Sequence, residues 1–109
     1  MTATIVALVP DLMDRSKVAA AGGDRIRFVS GADGLDAAVA DAGPALVVVD
    51  LGRPGVVDAL AELRVARPDL RVIGFGSHVD RELLDAAAAT GCEVLARSAF
   101  FSRLAVLLA

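Results

Sequence analysis

The chain has 109 residues, 56% of them hydrophobic and 23% charged, a balance that favours one packed domain over residues 1–109 and argues against a disordered segment. Its net charge of −3 offers no basic footprint for a phosphate backbone, which excludes nucleic acid as an expected partner. No apolar run reaches the ~20 residues of a membrane span, no secretory leader pattern opens the chain, and one cysteine, Cys92, cannot form an internal disulfide; a cytoplasmic protein without a membrane partner is expected.

In chain order, Thr4–Val9 is a continuous apolar run ended by Pro10, as in a strand covered on both faces. Asp11–Ala21 reads as a helix stopped by Gly22 and Gly23, and Arg25–Val29 alternates like a half-exposed edge strand. A helix over Leu35–Ala42 stops at Gly43-Pro44, and Ala45–Val49, the most apolar run, predicts the central strand. After the loop Asp50–Gly55, a helix over Val56–Arg67 turns Val56, Leu60 and Leu63 one way. Leu70–Phe75 predicts the fourth strand. Ser77 with Asp80 resembles a capping box for a helix over Arg81–Thr90, with Leu83, Leu84, Ala87 and Ala88 as its packing stripe and Gly91 as its stop. Glu93–Ala96 is the fifth strand, and Ser98 is placed to cap a last helix, Phe100–Leu108.

Strands alternating with helices imply parallel βαβ units. Five of them fit an α/β flavodoxin-like three-layer sandwich with a parallel sheet of order 2-1-3-4-5, whose working crevice lies outside the carboxyl ends of the strands. The residues expected there are Pro10 and Asp11, Asp50, Gly76, Ser77 and His78, and Arg97 and Ser98.

Here the chain resembles a response-regulator receiver domain (CheY-like). Leu46-Val-Val-Val-Asp-Leu-Gly-Arg-Pro54 is similar to the family's strand-three signature, which puts the phospho-acceptor position on Asp50. Ala89–Ser98 resembles the passage from helix four to strand five. The departures are as informative. The family's Mg²⁺-holding acidic pair falls on Val9 and Pro10, with Asp11 one residue later and Asp14 a helical turn further on. Its strand-four hydroxyl falls on Gly76, with Ser77 beside it; its lysine falls on Arg97, its proline on Ser98 and its aromatic switch on Val94. Lys17, the only lysine, lies on the first helix, and a guanidinium does not replace an ammonium at a tight anion site. Phosphoryl transfer depends on positioning and charge stabilisation, so the resemblance implies a degenerate pseudo-receiver. Such a domain acts by binding another signalling protein, without catalysis, cofactor or expected metal. The alternative is a working single-domain response regulator, phosphorylated at Asp50 by a histidine kinase or small phosphodonor with Mg²⁺, for which Asp11 and Asp50 are the candidate ligands.

Other readings of these residues remain open. Asp50 also fits a turn-forming carboxylate, Asp11 and Asp14 fit acids at a helix N-terminus, and Arg97 either pairs with Asp50 as a counter-charge or does not. Ser77, His78 and Asp50 share a sheet edge, but without a G-x-S-x-G elbow they do not suggest a nucleophile triad, and His78 reads as a solvent-facing loop residue. Cys92 reads as a small hydrophobe. A small-molecule-binding module has no supporting motif, there being no G-x-G-x-x-G after the first strand. Phe100 and Phe101 point about 100° apart on a helix. With Arg103 they are the expected interface, for a partner or for a homodimer through helix 4, strand 5 and helix 5.

Overall fold

The five apolar runs form five strands: β1 (Ile5–Leu8), β2 (Ile26–Phe28), β3 (Leu46–Asp50), β4 (Val72–Gly76) and β5 (Glu93–Ala96). They make one parallel sheet in the order β2-β1-β3-β4-β5. This computed structural model describes residues 3–109. Among the described residues six α-helices lie between and after the strands: α1 (Leu12–Gly22), α2 (Leu35–Ala42), α3 (Val56–Ala66), α4 (Arg81–Ala89), α5 (Arg97–Ser102) and α6 (Leu104–Leu107), with short 3-10 turns at Gly23–Arg25 and Ala32–Gly34.

Alternation along the strands builds two cores. Val6, Leu8, Val47 and Val49 face α2, α3 and α4, where Leu35, Val39, Leu60 and Leu63 meet them. Ile5, Ala7, Val9, Val48, Ile73 and Phe75 face the other way, onto Val18 of α1 and Phe100, Leu104 and Leu108 of the C-terminal helices. The helix stops act as their chemistry requires: Gly43 and Gly91 take φ of 55° and 94°, a region in which a side chain strains the backbone. Gly74 has a packing reason instead, since a Cβ there would lie 2.6 Å from Leu51 Cδ2.

Three local expectations are corrected. The cap of α4 is Asp80, whose carboxylate accepts from the Leu83 N–H at 3.2 Å, whereas Ser77 Oγ accepts from Val79 N–H at 3.4 Å inside its own turn. Asp80 stands three residues before the donor, the spacing a capping oxygen needs; Ser77 stands too far back. The packing stripe of α4 loses Ala88, which is exposed, and rests on Ala87 with Leu83 and Leu84 half-buried. Ser98 caps nothing. The C-terminal helix begins at Arg97 directly from β5, so Ser98 lies within it, and the helix breaks at Arg103 into α5 and α6. Among the described residues no helix is long and apolar enough to cross a membrane.

Candidate functional site

The parallel sheet brings the ends of β1, β3, β4 and β5 to one edge, and with them Asp11, Asp50, Gly76, Ser77 and Arg97. Asp11 is the N-cap of α1: its Oδ1 accepts from the Met13 and Asp14 N–H groups, both at 3.0 Å. The Asp14 N–H bond is the main cause holding Asp11 below the ordinary carboxylate pKa; the Met13 N–H and the charges of Arg97 and Arg53 act in the same direction, against partial desolvation.

Asp14, one turn along α1, is a buried charge with 1% of its surface exposed. Its Oδ1 accepts a hydrogen bond from the Arg97 guanidinium, and the two form an ion pair; its Oδ2 is buried without a partner among the described residues. The Arg97 guanidinium also lies over the rings of Phe101 and Phe75, 5.0 and 5.8 Å from their centroids. Its hydrogen bond to Asp14 raises the Arg97 pKa above that of a free arginine. Partial burial opposes this, and the charges of Asp14, Asp50 and Asp11 reinforce it. All three crevice acids therefore act on one guanidinium.

Asp50 ends β3, opposite Phe75 in the sheet register. Its Oδ1 accepts from the Gly52 N–H at 3.0 Å and its Oδ2 from Arg53 Nε at 3.3 Å. The pairing of Arg97 with Asp50 weighed from the sequence is thus corrected. Arg97 takes Asp14, because that carboxylate is buried and has no other cation among the described residues, while the i,i+3 neighbour Arg53 serves Asp50. Gly76 is buried, and a Cβ there would sit 3.2 Å from Leu84 Cδ2, so the position a strand-four hydroxyl would take is already crowded. Ser77 and His78 are exposed.

A divalent cation of the Mg²⁺ kind needs several oxygens converging on one point. Here Asp11 Oδ1 holds two backbone donors, Asp14 Oδ1 holds Arg97, and both Asp50 oxygens hold donors. Among the described residues, no three His, Cys, Asp or Glu side chains gather to hold a metal ion. The residues present do not fit an Mg²⁺ centre.

The expected interface is corrected at Phe100, which is fully buried and stacked on Phe75 at 4.5 Å. Phe101 is half-buried, edge-on to both rings at 4.9 and 5.3 Å, and Arg103 is exposed. Three aromatics clustering in the core outweigh a surface role for the first of them. Cys92 is buried, and its thiol donates to the Ala87 carbonyl at 3.1 Å. Sequence reasoning missed Arg53 and the aromatic floor beneath Arg97. The Asp50–Arg53 spacing within a tight loop is a signal that points to the first; nothing local announces the second, since Phe75 and Arg97 meet only through the sheet.

The parallel sheet of order 2-1-3-4-5, covered by helices, is that of the CheY-like, flavodoxin-like fold. No protein-family model matches the sequence, and no curated protein matches it. Solved structures do. NtrX from Brucella abortus in complex with ADP is 25% identical, with a TM-score of 0.82 over 98% of this chain and 26% of that one. The receiver domain of NtrX from Brucella abortus is 24% identical, with a TM-score of 0.80 over 94% of this chain and 92% of that one. A CheY-like protein, tadZ, from Pseudomonas aeruginosa is 21% identical, with a TM-score of 0.77 over 98% and 97%. The chain spans about a quarter of the NtrX chain determined with ADP.

Proposed function

We propose that this chain is a receiver-like signalling module, one domain over residues 1–109, that acts through protein contact in the cytoplasm without Mg²⁺-dependent phosphorylation of Asp50, catalysis or a cofactor. The observation that carries this reading is the Asp14–Arg97 ion pair, with Asp50 already bound by Arg53. A phosphoryl acceptor of the family's kind needs its carboxylate free and its neighbours arranged around a cation and a transferring anion. In this crevice each acid already holds an arginine or a backbone donor from within the chain, although Asp14 Oδ2 has no partner among the described residues. Binding to a signalling protein remains as the function, and the exposed Arg103 and Val106 (74% exposed) on the C-terminal helices are the surface proposed for a partner or a second copy. The test is incubation with acetyl phosphate and Mg²⁺ followed by intact-mass measurement. No adduct is expected. An adduct that disappears in Asp50→Asn would overturn the reading and establish the working response regulator instead.

A further inference from the structure

A groove of about 560 Å³ opens between α3 and α4, and no residue that lines it belongs to the crevice. On α3 the core-facing residues are Val56, Leu60 and Leu63. Val57, Ala61 and Val65, at i, i+4 and i+8, stand about 100° round the helix from Val56 and Leu60 and form one wall of the groove. Ala86 and Ala89 of α4 form the other, and Pro68 completes the apolar lining. Ala61, Val65, Ala86 and Ala89 are all exposed, and Val65, at 86%, is the most exposed large hydrophobic residue among those described.

Between these walls, toward the C-terminal end of α3, stands Arg64. Its Nη1 donates to the Leu70 carbonyl, and its guanidinium lies against Gly91, where a Cβ would be 3.2 Å from Nη2. Among the described residues its Nε is buried without a partner, its Nη2 holds no hydrogen bond, and no carboxylate pairs with it. Asp58, the acid on the same lining, stands nearly two turns back along α3. Charges drawn into a fold are paired as a rule, so a half-buried guanidinium without a counter-charge, set in an apolar groove, marks a place for an anion.

We propose that the α3–α4 groove binds a small amphipathic monocarboxylate, with its carboxylate on the Arg64 guanidinium and its apolar chain between the Val57–Val65 and Ala86–Ala89 walls. The groove has the size and character of a small-ligand site, mostly apolar with one oriented polar group. From Arg64 back to Val57 the helix rises roughly 10 Å, which suits a chain of about eight carbons. Asp58 lies at the Val57 end and keeps the carboxylate at the Arg64 end. An alcohol of the same length would forgo the ion pair, and an amine would set one cation against another. The acetyl phosphate experiment has no bearing on this site, which holds none of the crevice residues.

The probe is octanoate, titrated into the nitrogen-15-labelled full chain at constant ionic strength and followed by amide shifts. Saturable shifts centred on α3, α4 and Gly91 are expected, with a Kd on the order of 1 mM. Butyrate, which covers less of the apolar walls, and octylammonium, which carries the wrong charge, should each bind at least about tenfold more weakly. Arg64→Gln should weaken octanoate by about tenfold. Because that change also removes a bond to Leu70, a second variant keeps Arg64: Ala86→Leu, at an exposed position, fills the groove and should weaken octanoate at least as much. Ala20→Leu, exposed on α1 in the opposite layer, should bind as the parent does. The proposal is overturned by any one of three results: no saturable shift, octylammonium binding as tightly as octanoate (the mark of apolar adsorption), or unchanged affinity in Ala86→Leu.

Discussion

Replacing Arg97 by methionine removes the only cation paired with Asp14 among the described residues and keeps most of the apolar stem. The Asp14 side chain is 2% exposed, so its carboxylate is left buried, with Oδ2 already unpartnered. Removing one partner of a buried ion pair costs about 3–5 kcal/mol. The Arg97 side chain is 47% exposed, so water enters the space it vacates, and the cost falls to about 2 kcal/mol. Loss of the guanidinium from above Phe101 and Phe75 adds about 0.5–1 kcal/mol. Arg97→Met should therefore destabilise by about 2–3 kcal/mol, roughly 10 °C in Tm for a domain of this size. Asp14→Asn should cost less, about 1 kcal/mol, because a half-exposed arginine can turn to solvent whereas a buried carboxylate cannot. The double variant Asp14→Leu/Arg97→Met should return to within about 1 kcal/mol of the parent. Urea unfolding followed by circular dichroism reads all three. If Arg97→Met loses less than about 0.5 kcal/mol, or if Asp14→Asn is the more damaging single change, the reasoning from a buried charge fails.

Acid should weaken the fold through two further carboxylates. The bidentate hydrogen bonds from Arg71 hold Glu93 below the ordinary 4.5, against partial desolvation, and the Asp14 N–H holds Asp11 below the ordinary 3.8. Each therefore binds protons less readily folded than unfolded; its contribution is complete above the unfolded value and is lost as pH falls through the folded one. The urea midpoint should be level above pH 4.5 as far as these groups go and fall below it, less steeply in Glu93→Gln. A parent midpoint that rises on acidification contradicts this. For the C-terminal helices, sedimentation velocity at increasing concentration should show self-association in the parent and less in Val106→Asp, since an exposed valine can be charged without disturbing the core. Identical profiles remove that surface.

The sheet order and most element bounds were legible because apolar runs, glycine stops and the alternation of strand and helix are local signals, and α2 and β5 fall where those signals place them. Capping was misread at Ser77 and Ser98, where residue type alone does not say which oxygen reaches a free N–H. The candidate site was legible as a set of positions but not as a set of pairs. Asp11, Asp50 and Arg97 stand where the strand ends put them, yet Asp14 lies 83 residues from Arg97 in the chain, and its choice as partner depends on burial that only the packed α1 face imposes. Phe100 shows the same limit. Two adjacent aromatics about 100° apart do not show which of them faces the core; that follows from the ring of Phe75 on a different strand.

The Asp14–Arg97 pair also bears on whether the crevice can switch. A two-state element needs its alternative within a few kcal/mol, and a ligand shifts the balance only by its preference for one state. Any rearrangement that drew Arg97 away from the α1 end toward an anion at Asp50 would leave Asp14 buried without its counter-charge. By the figures above that costs about 2–3 kcal/mol, holding such a state to roughly one molecule in a hundred. It would also meet Arg53, which already neutralises Asp50 and lessens any gain from bringing a second guanidinium there. The ion pair ties the first turn of α1 to the first turn of α5 and favours a single arrangement of the crevice edge. At that cost the crevice rests in one arrangement when no ligand is bound, and an anion would have to prefer the rearranged state by about a hundredfold to populate the two equally.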